Sequence, residues 1–116
     1  MSCLFNSLSY FINETGYTIR QKICDYLQTN GKIMDGLDTN YILNMENQNY
    51  ISNMRNTSSW GGAIEIQCAC NIWSLRIIVK DIRTFDKKEI EFIPINGSME
   101  RTIKIEWSGG HYEPER

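Results

Sequence analysis

The 116-residue sequence has a single histidine, His111, and four cysteines without regular spacing. It has no apolar run long enough to cross a bilayer, no basic leader or cleavage-site pattern at its start, and no clustering of Lys and Arg. Each shortage excludes something. Without a spanning segment or leader, neither a membrane role nor secretion is expected, and the chain reads as cytoplasmic. In that reducing compartment Cys3, Cys24, Cys68 and Cys70 are expected as free thiols, not as a disulfide framework. The formal charge of −2 and a pI near 5.4 give no general attraction to phosphate backbones, so no nucleic-acid partner is expected. One imidazole cannot complete a tetrahedral set with Cys68 and Cys70, which on a helix point to nearly opposite sides. No metal and no cofactor are expected, and both cysteines read as small core residues.

What is present fits one domain over residues 1–116, expected as a monomer and long enough to bury a core without staples. The 41% hydrophobic and 22% charged content is that of an ordinary soluble globular chain. Abundant Asn and Ile fit an AT-rich coding sequence.

The first half carries helical spacing. Leu4, Leu8, Phe11 and Ile12 follow Cys3 on one helix, which "NETG" ends. In "TIRQKICDYLQTNG" Thr18 is the predicted N-cap, Ile19, Ile23 and Leu27 form one face, and Asn30-Gly31 is the stop. A looser helical stretch runs from about Tyr41 to Met54, with Tyr41, Ile42, Met45, Ile51 and Met54 expected to be buried. A central helix follows "SSWGG", with Ile64, Ala69 and Trp73 toward the core and Glu65 as a helix-start carboxylate. The period then changes to that of strands in "LRIIVKDI", "KEIEFIPI" and "RTIKIEW", joined by hairpin-like turns that include Asn96-Gly97. The expected class is α+β: a twisted, mostly antiparallel sheet from the C-terminal half, expected to run as a meander, packed against helices from the N-terminal half.

Cys3 stands where a helix starts, where free amides and the helix dipole favour a thiolate. Chain termini of a compact domain often lie close together, so His111 can face Cys3 from the opposite end. In an extended "HYE", His111 and Glu113 share one face, which gives nucleophile, base and orienter. On pattern alone, a lone terminal His is more often a surface residue, and a Cys near the start more often a small hydrophobe.

Taken together, "CLFNSLS" at Cys3, "IR" at Ile19 and Arg20, "WGGAIEIQCAC" at Trp60, "LRIIV" at Leu75 and "HYE" at His111 occur in the order of one family. The sequence resembles the ovarian-tumour (OTU) family of papain-like cysteine proteases, which cleave ubiquitin from proteins or from other ubiquitins. The resemblance implies Cys3 as nucleophile, His111 as general base and acid, Glu113 as orienting residue, and the backbone N–H groups of Ser2 and Cys3 as oxyanion donors. It implies a ubiquitin or ubiquitin-like partner, whose Gly-Gly tail would pass along Gly109 and Gly110, with Trp60 as a further substrate contact or as an anchor of the central helix.

The sequence departs from the family pattern twice. Only Met1 and Ser2 precede Cys3 where the family has Asp-Gly-x, and Glu113 stands where the family prefers Asp or Asn. Loss of one oxyanion donor typically costs about 100–1000-fold in rate, so two alternatives stand beside an active hydrolase: a silent OTU-like domain that binds its partner uncut, and a fragment lacking its upstream residues. A third reading is an unrelated α+β interaction domain whose two ends lie far apart. By analogy, so compact a chain with AT-rich bias would suit a virus or mobile element, which would place it in a host cytosol.

Overall fold

The computed structural model describes residues 2–115. Helix α1 spans Cys3–Phe11 and buries Leu4, Phe5 and Leu8, a spacing of one, three and four that fits a single helical face. Helix α2 spans Gly16–Gln28 and is capped by Thr15, whose hydroxyl accepts from the Thr18 N–H at 3.1 Å. The predicted cap, Thr18, is therefore the residue that the true cap holds, three positions on. Asn30 takes the left-handed conformation at φ 61° and ends the helix as predicted, and the Gly31 N–H donates to the Tyr26 carbonyl at 2.8 Å.

The stretch predicted as one loose helix is two, α3 at Thr39–Glu46 and α4 at Tyr50–Arg55. Between them the Asn47 side chain accepts from the Asn49 N–H at 2.7 Å, a local bond that competes with the helical ladder. The break rotates the buried face. Leu43 and Met54 enter the core, while Tyr41 and Met45, expected inside, are 62% and 72% exposed.

Helix α5, Ala63–Trp73, starts where Glu65 reaches back to accept from the Gly62 N–H at 2.7 Å. Glu65 is the helix-start carboxylate that the sequence predicts, and it is also fully buried and accepts from the Tyr50 hydroxyl at 2.6 Å, which ties α4 to α5. Burial pushes the Glu65 carboxyl above its ordinary 4.5, against the hydrogen bonds from Tyr50 and Gly62 that pull it down. A carboxyl so raised favours the fold in its protonated form. That contribution is complete below the unfolded value and is lost as pH rises through the folded value. Glu65→Gln keeps an oxygen for Gly62 while removing the charge. The melting temperature of the wild type is expected to decline from pH 5 to 8 relative to that of the variant, and parallel pH profiles would refute this.

Four strands form one sheet among the described residues: β1 Leu75–Asp81, β2 Glu89–Phe92, β3 Arg101–Trp107 and β4 Tyr112–Pro114, in the order β2-β1-β3-β4. The β1/β2 and β3/β4 pairs are antiparallel, so the sheet is mostly antiparallel, but β1 and β3 run parallel. The sheet is therefore not a meander. The chain crosses from β2 to the far side of β1, and the Asn96-Gly97 turn belongs to that crossover, not to a hairpin. Register gives the reason: Ile77 sits opposite Ile103 and Val79 opposite Ile105, all buried in one cluster with α1, α2 and α5. Pairing β3 with the exposed edge strand β2 would leave those isoleucines beside a strand that buries little. The other face carries Arg76, Lys80 and Lys104, ion-paired with Glu91, Glu115 and Glu89. No helix among the described residues is long and apolar enough to cross a membrane.

Candidate active site

Cys3 is the first residue of α1, with Ser2 as N-cap, and is partly exposed. The opening amides of a helix have no acceptor within it, and its dipole places partial positive charge there, so the position suits a thiolate and an incoming oxyanion. The Ser7 hydroxyl donates to the Cys3 carbonyl at 2.7 Å one turn on. Here the helix is set by packing, since Leu4 and Phe5 lie in the core beside a partly exposed Cys3.

His111 comes from the other end of the chain. After β3, Ser108 and two glycines reverse direction; Gly109 sits at φ +99°, a left-handed conformation that side chains resist, and the Ser108 N–H donates to the His111 carbonyl at 3.0 Å. Strand β4 then pairs Tyr112 with Trp107 and Glu113 with Glu106, and α1 packs against it. The period-two reading places His111 and Glu113 together, and their Nε2 and Oε1 atoms lie 3.4 Å apart, with both side chains more than half exposed. The contact is an ion pair only when the imidazole is protonated.

Ser2, Cys3, His111, Glu113 and Trp60 line one groove of about 540 Å³. Gly109 and Gly110 line an adjoining groove of about 430 Å³, which shares Trp60 and Tyr112 with the first. Every sequence-predicted site residue is thus in one of two connected depressions. Trp60 is 51% exposed and lines both grooves. Burial pushes the Tyr112 phenol up, and negative charge on Cys3 would push it the same way, as expected for a ring beside the thiol.

Several groove residues escaped the sequence reading. Asn6 and Tyr10 stand three and seven positions after Cys3 and line its groove; helical spacing from the nucleophile would have found them. Trp107 was read only as a strand residue, yet it stacks on Tyr112 with centroids 6.3 Å apart and carries the Arg83 guanidinium at 4.1 Å. Asp81 holds that guanidinium by two bonds of 3.0 and 2.8 Å.

A buried cation lies beneath the site. The Arg20 guanidinium rests on the Phe5 ring at 4.2 Å and donates to the carbonyls of Met54, Asn56 and Ser59 at 2.7, 2.9 and 2.9 Å, with Ser2 Oγ 3.4 Å away. The loop it holds then presses Gly61 onto α1, where a Cβ would come within 2.7 Å of Leu4 Cδ2 and 3.0 Å of the Phe5 ring. Sequence analysis noted Arg20 as part of a motif but gave it no role.

The remaining thiols are core residues. Cys24, Cys68 and Cys70 are fully buried, and burial raises each of them, Cys24 to about 11 and Cys70 to about 12. Iodoacetamide at neutral pH is expected to modify the folded protein at Cys3 alone and all four cysteines after denaturation. Peptide mapping of the alkylated protein checks this, and native labelling of Cys68 would contradict it.

Residues 2–113 match the family described as OTU-like cysteine protease. The chain is 30% identical over 112 residues to the putative ubiquitin thioesterase otu1 of Schizosaccharomyces pombe, a match that covers 97% of this chain and 32% of the relative. It is 30% identical over 88 residues to ubiquitin thioesterase OTU1 of Dictyostelium discoideum, covering 72% of this chain and 26% of the relative. The chain spans about a third or less of these curated relatives. Its fold is similar to that of an ovarian tumour (OTU) domain solved in complex with ubiquitin, with a TM-score of 0.76 at 27% identity, covering 97% of this chain and 62% of that one. An unrelated interaction domain is thereby set aside, since the two chain ends meet in one groove. The family match begins at the cap of the cysteine's helix and ends at the acid beside the histidine, and the chain belongs to the OTU-like cysteine protease family.

Proposed function

We propose that the chain is a cysteine hydrolase that cleaves the isopeptide or peptide bond after the C-terminal glycine of ubiquitin or a ubiquitin-like protein. The observation that carries this reading is the convergence of Cys3, at the start of α1, and His111, just before β4, on one groove. The Cys3 thiolate attacks the glycine carbonyl, and the backbone N–H groups of Ser2 and Cys3 hold the oxyanion. His111 protonates the departing lysine amine. Water then adds to the thioester, with His111 as base, and frees the carboxylate and the thiol. Glu113 orients the imidazole through the 3.4 Å contact.

The second groove suits a tail without side chains, because Gly109 and Gly110 line it together with Trp60 and Trp107. A Cβ at Gly110 meets nothing within 4 Å, so a larger residue there would project into the groove without disturbing the fold. Gly110→Val is expected to lower kcat/KM on a ubiquitin C-terminal amide by about tenfold or more, by obstructing the tail. Unchanged cleavage would remove the tail from this groove.

The reading is tested with ubiquitin bearing a C-terminal thiol-reactive electrophile. A ubiquitin-sized mass adduct, absent from Cys3→Ala, is expected. A folded sample that binds ubiquitin without an adduct is instead a silent binding domain, and one that does neither overturns the proposal.

A further inference from the structure

We propose that Arg20 is a positioning residue for the Cys3 site: one guanidinium sets the start of α1 and the wall that carries Trp60, without touching substrate. This rests on the reading of Cys3 as nucleophile and adds a determinant that the reading does not contain.

Arg20 joins parts of the chain that lie far apart in sequence. It lies on α2, away from the groove, and is fully buried. Its guanidinium carbon lies over the Phe5 ring at 4.2 Å, two residues after Cys3, and Nη2 is 3.4 Å from Ser2 Oγ at the cap of the same helix. The same Nη2 donates to Ser59 O, immediately before Trp60, while Nη1 holds Met54 and Asn56. Ser2 and Cys3 form one side of the groove and Trp60 another. Two groove walls from distant parts of the chain therefore meet on one planar, rigid group.

Chemistry explains why this group is arginine. Burying a cation is costly unless its donors are used, and a guanidinium presents donors in a fixed fork while offering a flat face to an aromatic ring. A lysine ammonium at the same place has charge but neither the fork nor the face. It can serve some of these carbonyls only by letting others move. Displacing a reacting group by about 1 Å can cost on the order of a hundredfold in rate.

A purely structural arginine would lower stability and leave each folded molecule as active as before. The two roles separate in Arg20→Lys, used in the full chain at a temperature where circular dichroism shows it folded. Two readouts are taken: kcat and KM on a ubiquitin C-terminal fluorogenic amide, and the pH profile of Cys3 alkylation by iodoacetamide. Positioning predicts kcat lower by about 10–100-fold, with KM changed by less than about threefold. It also predicts slower Cys3 alkylation near neutral pH, because the helix amides no longer sit correctly about the sulfur. Should Arg20→Lys fail to fold, Ser2→Ala removes only the contact at the cap, and the same two shifts, smaller in size, are expected from it.

The outcomes are distinct. Wild-type values in both readouts for the folded variants overturn the positioning role and leave the hydrolase reading intact. A wild type that turns over no ubiquitin substrate, yet whose Cys3 alkylation profile shifts in Arg20→Lys, overturns the hydrolase reading and supports the positioning role.

Discussion

Replacing Cys3 with alanine is expected to reduce hydrolysis of a ubiquitin C-terminal amide to background, a loss on the order of 10⁴-fold or more, while leaving the fold and ubiquitin affinity intact. The size of the loss follows from the chemistry. Without sulfur no thioester forms, and nothing near it can substitute. The other three thiols are buried and their ionisation is suppressed, and Ser7 and Ser9 on the same helix have hydroxyls already committed to the Cys3 and Asn6 carbonyls. Stability should change little, within about 1 kcal/mol, because Cys3 is only partly buried and alanine is the stronger helix former. Steady-state kinetics, thermal melting and calorimetric titration with ubiquitin measure the three quantities. Residual turnover near that of the wild type would place the nucleophile elsewhere.

The second large effect concerns stability. Arg20→Ala is expected to cost about 3–5 kcal/mol, because it removes a buried cation whose Nη1 and Nη2 hold three carbonyls and leaves those acceptors behind. The buried Met54 carbonyl would lose its partner at a cost of about 1–3 kcal/mol, and the part-buried Asn56 and Ser59 carbonyls would lose theirs at a lower one. The Phe5 ring would also lose the group on its face, and the cavity would lie against the start of α1. For a chain of this length the melting temperature should fall by about 10 °C or more. Arg20→Met, which restores volume but no donors, is expected to recover only part of that. Urea denaturation of both variants checks the order, and a methionine variant as stable as the wild type would mean that the loop carbonyls do not depend on the guanidinium.

How much of this was legible in the sequence depends on how local the deciding physics is. Helix α1 could be read from Leu4 and Leu8, and the end of α2 from Asn30-Gly31, because a helical face and a left-handed stop are set within a few residues. The juxtaposition of His111 with Glu113 needed only the two-residue period of a strand. The meeting of Cys3 with His111 needed a motif set spanning the chain, since no local rule links its two ends. The parallel pairing of β1 with β3 was missed because turn chemistry at Asn96-Gly97 signals a reversal, not which neighbour the next strand chooses; the buried Ile103 and Ile105 decide that. Burial of Arg20 and Glu65 was likewise out of reach. Their partners are backbone groups 34 to 39 residues away for Arg20, and for Glu65 a tyrosine on another helix.

The route from Cys3 to His111 also determines when the site comes into existence. The nucleophile's helix comes before its base along the chain, and the base and its neighbouring strand β4 follow only after β3 has crossed beside β1. Until that closing strand docks, the chain holds a thiol without an imidazole. Strand β4 is only three residues long and pairs on one side, so it belongs to the part of a fold that opens first. Opening of that one short strand would part the imidazole from the thiol while the core stays intact, so competence of the proposed site reports on the closure of the chain and not on the core, which can be complete without it.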